Sequence, residues 1–599
     1  MKIIAAVDIG NSTTEVCIAH KLSSGKVCFI SEASVPTTGL KGTKENVYGI
    51  ISALKEAASG QFGNITHICI NEAAPVIGGA AMETLTQTVV TESSMLGHNP
   101  KTPAGHGCGY GKTILIENIN KITGSEPYIV VISEKTGYEE AAAIINNVKS
   151  ANITGAILQL DEAVLVYNRL ARKIPVIDEV RGISKIKEGI ETVIEVALPA
   201  KAISMLSNPY GIATLLKLTS SETQHIIPIA KSLIGAKSAV VMKTPWKNTA
   251  PPKKMGHLYI NGNKSTTVDL SKGAEAVTNA IESAGQITDI NGEPGTNIGD
   301  MLEKAAKSMS ELAVGQKVHI SDLFAVDTFA PVAVSGALAG ETSLEKAIAI
   351  AAMVKAGKLP METIAKILQK TGLYTTVSGI EPVMAALGAL TTPGTGLPMA
   401  VLDLGGGSTD VALIKKCGTV KSVSLAGAGE LVTMMIQSQL GLTSRITAEN
   451  IKKYTVAKVE SLFHIRLENG EIIFYDEGIN PQFFGAVVIL TPEGMIKIDE
   501  EIPIEKIVSV RQEAKYKVFV KNAMRAIGKV GKDVLNSADP LKNVILVGGS
   551  ALDFEIPGLL SEAFAEMGIA CGSGNIRGTQ GARNAVATGL IMDHVVEFD

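Results

Sequence analysis

The sequence predicts an α/β fold in which two related lobes carry an inserted α/β domain and a smaller second insert. Three observations predict it. A strand–turn–strand pattern occurs twice, the segment between the copies alternates strands with helices, and 599 residues exceed what one hydrophobic core can organise.

The repeat carries most weight. Residues 7–18 read VDIGNSTTEVCI and residues 402–413 read LDLGGGSTDVAL. They align without a gap: Asp8 with Asp403, Gly10 with Gly405, Thr14 with Thr409, Glu15 with Asp410. Each copy has an apolar strand, a tight Gly/Asn/Ser turn and an alternating strand, the signature of a β-hairpin. A matched pair implies two lobes that face each other.

Between the copies the chain changes character. Residues 91–112 are polar and Gly-rich and read as a long loop. Strands are expected at 128–133, 154–160 and 174–177, with helices at 138–149 and 161–170. That spacing implies a small parallel sheet and hence a separate inserted domain. TPWKNTAPPKKM (244–255) reads as its exit linker. Apolar spacing predicts helices over 343–357 and 361–371, and TTPGTGLP (391–398) a turn. Residues 466–505 mix short strands with Gly and Pro and receive no assignment. The expected units are 1–90, 91–245, 246–465, 466–535 and 536–599.

Composition excludes several classes. With 46% apolar and 19% charged residues the chain is an ordinary globular protein. Net charge is −4 without a basic tract, which argues against nucleic acid as a partner. Cys17, Cys28, Cys69, Cys108, Cys417 and Cys571 are scattered, so neither a metal cluster nor a disulfide framework is expected, and a cytoplasmic setting is. The N-terminal apolar run is too short for a signal peptide, and no run reaches the roughly 18 residues that span a bilayer. The nine His residues show no metal-ligand spacing; His98 and His106 read as structural or solvent-exposed.

Holding a nucleotide's phosphates requires backbone N–H groups that approach closely, hence Gly and small hydroxyl residues at a turn. Magnesium adds a need for nearby carboxylates. Both hairpins supply both parts. Gly10, Asn11, Ser12 and Thr13 form one loop beside Asp8; Gly405, Gly406, Gly407, Ser408 and Thr409 form the other beside Asp403 and Asp410. The alternative is two ordinary hairpins with polar tips.

The pair resembles the two phosphate loops of the actin, sugar-kinase and heat-shock-chaperone superfamily, whose lobes are duplicated ribonuclease-H-like units. Further segments fall in that superfamily's order. GIEPVMAALGA (379–389) resembles its connecting helix, with Glu381 at the acidic position and Pro382 suited to a helix start. ENIKK (449–453) resembles the chaperones' adenosine-gripping helix, so Glu449, Lys452 and Lys453 would contact ribose and base. VILVGGSALDFEIP (544–557) resembles the adenosine loop, with Gly548, Gly549 and Ser550 against the nucleotide. RNAVATGL (583–590), opening on Arg583, resembles the closing helix. The resemblance implies ATP/ADP and Mg2+ as ligands. Asp8 and Asp403 would hold hydrated Mg2+, and Glu381 and Asp410 would orient the attacking water.

The whole chain is similar to the large subunit of reactivating factors for coenzyme-B12-dependent diol or glycerol dehydratase. INEAAPVIGGAAMET (70–84), TESSMLGHNPKTP (91–103), AVDTFAPVAVSGALAGE (325–341) and GNIRGTQGARNAVATGLI (574–591) are the most particular stretches. The resemblance implies an ATPase that releases damaged cobalamin from the dead dehydratase. It also implies a swivelling inserted domain and a small partner subunit in an α2β2 assembly, either free or inside a bacterial microcompartment. Asp161 and Asp178 follow strands of the inserted sheet, where ligands collect. By the resemblance they and Thr102 would bind Mg2+ or Ca2+; by spacing alone they read equally as helix caps. A small-molecule kinase and a nucleotide-controlled filament protein are the competing functions.

Overall fold

The computed structural model describes residues 2–22, 27–59, 62–72, 81–84, 95–96, 103–122, 125–148, 151–180, 183, 186–199, 201–243, 256–312, 318–333, 342–355, 359–535 and 540–597. Thr102, His98 and the expected linker at 244–255 lie outside them.

Each copy of the repeat opens a five-stranded sheet. In lobe one the order is Thr375–Ile380, Ile65–Glu72, Lys2–Ile9, Thr13–Lys21, Val27–Pro36; in lobe two it is Val420–Ala426, Ser408–Ile414, Met399–Leu404, Asn543–Val547, Ala570–Ser573. The wiring is the same in both. The first three strands in sequence run antiparallel, and two more add in parallel beyond the first. This duplicated topology is what the repeat predicts.

Strand alternation explains why the opening run IIAAV is apolar at every position. Ile3, Ala5 and Val7 pack against helices Asn46–Ala58 and Leu359–Lys370 on one face. Ile4 and Ala6 face a second core shared between the lobes. That core also holds Met399, Val401 and Val547 from lobe two. Between the sheets lie the connecting helix Glu381–Ala389 and the closing helix Ala585–Glu597. The two helices approach closely because each offers a glycine. A Cβ at Gly388 would meet the Ala585 carbonyl oxygen, and one at Gly589 would meet that of Met384.

The inserted domain has a seven-stranded mixed sheet. Val176–Ile177, Asn152–Leu158, Pro127–Ile132 and Gly107–Leu115 run parallel, and Glu191–Val196, Ser238–Met242 and Met95–Leu96 add antiparallel. The loop expected over 91–112 gives way at its end to the strand Gly107–Leu115, whose glycines permit close packing, since a Cβ at Gly111 would run into Pro127 and Tyr128.

Two expectations are corrected. Where the helix over 343–357 is expected, the described residues form a strand: Thr342–Lys355 pairs with His319–Ala333. Ala349, Ala351 and Met353 face one core and Ile348, Ile350 and Ala352 another. A strand buried on both faces shows no alternation to read. Residues 466–505, unassigned by pattern, belong mainly to a five-stranded antiparallel sheet spanning 456–497. The expected edge at 466 therefore cuts through the strand His464–Leu467.

Candidate nucleotide site

The turn after each first strand is closed by the same hydrogen bond. Gly10 N–H donates to Thr13 O at 2.9 Å, and Gly405 N–H donates to Ser408 O at 3.1 Å. The loops meet across the interlobe gap: a Cβ at Gly406 would lie 3.3 Å from Ser12 Cβ. Behind them is a cavity of about 300 Å3. It is lined by Asp8, Gly10, Asn11, Ser12, Thr13, Glu381, Asp403, Gly405, Gly406, Gly407, Ser408, Asp410, Glu449, Lys452, Lys453, Gly548, Gly549, Ser550 and Arg583. Thr409 is the exception among the expected residues. Its buried hydroxyl donates to Gly427 O at 2.9 Å, on the side away from the cavity.

The floor is a cluster of carboxylates. Burial, then the Glu381 carboxylate, pushes Asp8 well above the usual carboxylate range. Burial, then Asp410 and Asp8, does the same to Asp403. Burial and Glu381 push Asp410 up to about 6, although Ser424 and Ser408 hydroxyls pull the other way. Lys41 supplies the nearby positive charge, and pattern reading missed it. Its Nζ donates to both Glu381 oxygens, at 2.8 and 2.9 Å, with a side chain only 3% exposed. Burial alone would lower the Lys41 pKa, but Glu381 and Asp8 hold it above its ordinary value. Asn71 Nδ2 donates to Asp8 Oδ1 at 3.2 Å.

The opposite wall is more fully paired. Glu449 lies 2.7 Å from Lys452 and 2.8 Å from Lys453. Burial raises its pKa, but these ammonium groups outweigh it and bring the carboxyl down to about 2. Lys452 also donates to Gly429 O at 3.1 Å and Thr433 Oγ1 at 2.8 Å. With three acceptors it braces the wall. Ser550 Oγ donates to Gly405 O at 3.1 Å, joining the turn after the strand Asn543–Val547 to the second hairpin loop. In sequence Glu15 is simply the counterpart of Asp410. It crosses the lobes, accepting from Arg583 Nη1 at 2.7 Å and from Asn584 N–H at 2.8 Å.

Comparison with known proteins gives this geometry a family. The diol dehydratase reactivase ATPase-like domain matches residues 268–594, more than half of the chain. The chain belongs to the diol dehydratase reactivase family. The swiveling domain of DD-reactivating factors matches residues 90–249. The propanediol dehydratase-reactivating factor large subunit of Citrobacter freundii is 47% identical over 100% of this chain and 99% of its own. Its Salmonella typhimurium counterpart is 46% identical with the same coverage. Among solved structures, a diol dehydratase-reactivating factor in nucleotide-free form superposes with TM-score 0.75 at 46% identity, covering 100% of both chains. A glycerol dehydratase reactivase gives 0.73 at 44%, covering 99% of this chain and 100% of its own.

In the reactivase's swiveling domain, Asp178 is fully buried. One carboxylate oxygen accepts from Ala163 N–H at 2.8 Å, capping the helix Ala163–Arg169. The other, Oδ1, is buried with no hydrogen-bond partner. Burial, and the nearby Asp161 carboxylate, push Asp178 up to about 7 despite that cap. Asp178 is thus a helix cap that keeps one oxygen unsatisfied near the charge of exposed Asp161, and two such carboxylates fit a hard divalent cation. Among the described residues no helix is long and apolar enough to cross a membrane.

Proposed function

We propose that this reactivase chain is an ATP-hydrolysing large subunit. Its nucleotide cycle would open an inactivated adenosylcobalamin-dependent diol or glycerol dehydratase, releasing damaged cobalamin so that intact coenzyme can enter. One observation carries the nucleotide half of this reading. Carboxylates from both lobes converge beneath two facing phosphate loops, with Lys41 offsetting only part of their charge. Such a cluster calls for a cation. Bound Mg2+ would neutralise charge on the phosphates.

Asp8 and Asp403 would hold the hydrated ion, and backbone N–H groups of the loops closed by Gly10 and Gly405, at 11–13 and 406–408, would take the phosphate oxygens. Glu381 and Asp410 would orient a water toward the γ-phosphorus. Its oxygen bonds there as the β–γ bridge breaks, giving ADP and phosphate by positioning rather than a covalent step. Glu449, Lys452 and Lys453 would contact the ribose and base, and Gly548, Gly549 and Ser550 would let the backbone lie against the nucleotide. In the swiveling domain Asp161 and Asp178, with Thr102, would hold Mg2+ or Ca2+, completed by a carboxylate of the small subunit in an α2β2 assembly.

Asp8→Ala and Asp403→Ala should each abolish ATP turnover; full activity in both would refute the assigned roles. The client half is tested by inactivating a dehydratase with glycerol, then adding this chain, its small partner, ATP and fresh coenzyme. Turnover should recover only when all four are present. Phosphorylation of a sugar or acid would favour a kinase instead, and ATP-dependent sedimentation a filament protein.

A further inference from the structure

Two histidines and a cysteine that sequence spacing leaves unrelated meet at the far end of the closing helix. His67 and Cys69 are two apart on the strand Ile65–Glu72, so both point to the face that the closing helix covers. His594 lies in the last turns of that helix. The donor atoms of His67, Cys69 and His594 all lie within 4.8 Å of one another. The two imidazoles stack with centroids 4.4 Å apart and planes at 28°. Tyr374 packs edge-on against His67 at 4.9 Å, and Thr376 Oγ1 is 2.8 Å from His67 Nε2. Cys69 is wholly buried, and both histidines are half-buried.

We propose that His67, Cys69 and His594 form a binding site for a borderline transition-metal cation of the Zn2+ type. The donor chemistry decides the class. Two imidazoles and a thiolate suit Zn2+ or Co2+ and disfavour Mg2+ and Ca2+, which take oxygen ligands. Metal–ligand bonds of about 2.0–2.3 Å set donor atoms about 3.5 Å apart, so closure needs only about 1 Å of side-chain movement. An ion taken by Nδ1 of His67 would leave Nε2 with Thr376 Oγ1, 2.8 Å away. The hydroxyl then fixes ring and tautomer, as outer-shell partners of metal-bound histidines do. Three protein ligands leave the fourth tetrahedral position to water.

The site is distinct from the nucleotide cavity. Ala585 and Val586 at the start of the closing helix line that cavity; His594 is about 12 Å further along the same helix. The body of that helix packs in the core shared by both lobes. An ion at its end would tether it to the lobe-one sheet.

The test uses the full-length chain stripped with a chelator and titrated with Co2+ as a spectroscopic probe. One Co2+ per chain is expected, with thiolate-to-cobalt charge-transfer absorption that Zn2+ abolishes by displacement. Zn2+ should also raise Tm. Cys69→Ser should remove the charge-transfer band, and His594→Ala should weaken binding at least about 10-fold. The exposed-cysteine variants Cys28→Ser, Cys108→Ser and Cys417→Ser should keep the band. Should Cys69→Ser not fold, His594→Ala carries the test, with a metal-free Tm expected to match that of the parent. Absence of the band in the unmodified chain, or its persistence at full strength in His594→Ala, overturns the proposal.

Discussion

Asp410→Asn should make the nucleotide-free protein more stable while removing its ATP turnover. Asp410 is 4% exposed, and burial together with Glu381 raises its pKa from 3.8 to about 6. That difference is worth about 3 kcal/mol against the ionised form at neutral pH. The amide removes this penalty. It also weakens the bond that Ser408 Oγ donates to Asp410 Oδ2 at 2.7 Å, a loss of about 1 kcal/mol. The net expectation at pH 7.5, in chelator, is a gain of about 1–2 kcal/mol. The sign with pH follows from proton uptake. Between pH 3.8 and about 6 the native state holds a proton that the unfolded state has lost. The stability this carboxyl contributes is therefore full below pH 3.8 and is lost as the pH rises through about 6. The advantage of the variant should grow across that window and vanish near pH 4. Hydrogen-exchange protection of the strand Ser408–Ile414 against urea measures it. Mg-ADP should narrow the gap, because a cation favours only the ionised carboxylate. A variant less stable than its parent at pH 7.5 in chelator, or equally affected at both pH values, would refute the reasoning.

Lys41→Met strips the cation from Glu381, whose side chain is 13% exposed, and should cost about 3–5 kcal/mol; adding Glu381→Leu should recover most of it in a double-mutant cycle read by urea unfolding. Gly589→Ala drives a methyl into the Met384 carbonyl, so the two interlobe helices must separate, costing about 1–3 kcal/mol. Calorimetry should show the lowered Tm, and ATP turnover should fall with it. Asp178→Ala, or removal of divalent ions, should weaken binding of the small subunit in a pull-down or titration; unchanged affinity would count against a cation there.

The hairpin repeat made the duplicated lobes legible because a tight turn constrains sequence locally. Gly10 and Gly405 must each close against a residue three positions on. Thr14 and Thr409 show how far that local logic reaches: they align, and both hydroxyls turn away toward the end of the third strand. Lys41 was illegible because its partner lies 340 residues away, and nothing near Lys41 announces a carboxylate. The strand Thr342–Lys355 was illegible for the opposite reason. Its run AIAIAAMV is buried on both faces, which erases the alternation that separates strand from helix. His67, Cys69 and His594 carry no spacing signal, since the closing helix returns to the first sheet only in the folded chain.

The distribution of charge explains why a ligand would set the angle between the lobes. Asp8 and Glu381 belong to lobe one, and Asp403 and Asp410 to lobe two. Burial is the first cause of the raised Asp8 and Asp403 pKa values, but part of the repulsion crosses the gap, since Asp410 acts on Asp8, and Asp8 and Glu381 act on Asp403. Lys41 belongs to lobe one and is committed to Glu381, so it offsets that repulsion from one side only. The tie from Glu15 to Arg583 and Asn584 works in the opposite direction, pulling lobe one onto the segment that leads into the closing helix. A divalent cation between Asp8 and Asp403 would turn the net repulsion into attraction. Its release with ADP would restore the repulsion. The shared core, with glycines at its closest helix contact, is the surface on which such a rotation would turn.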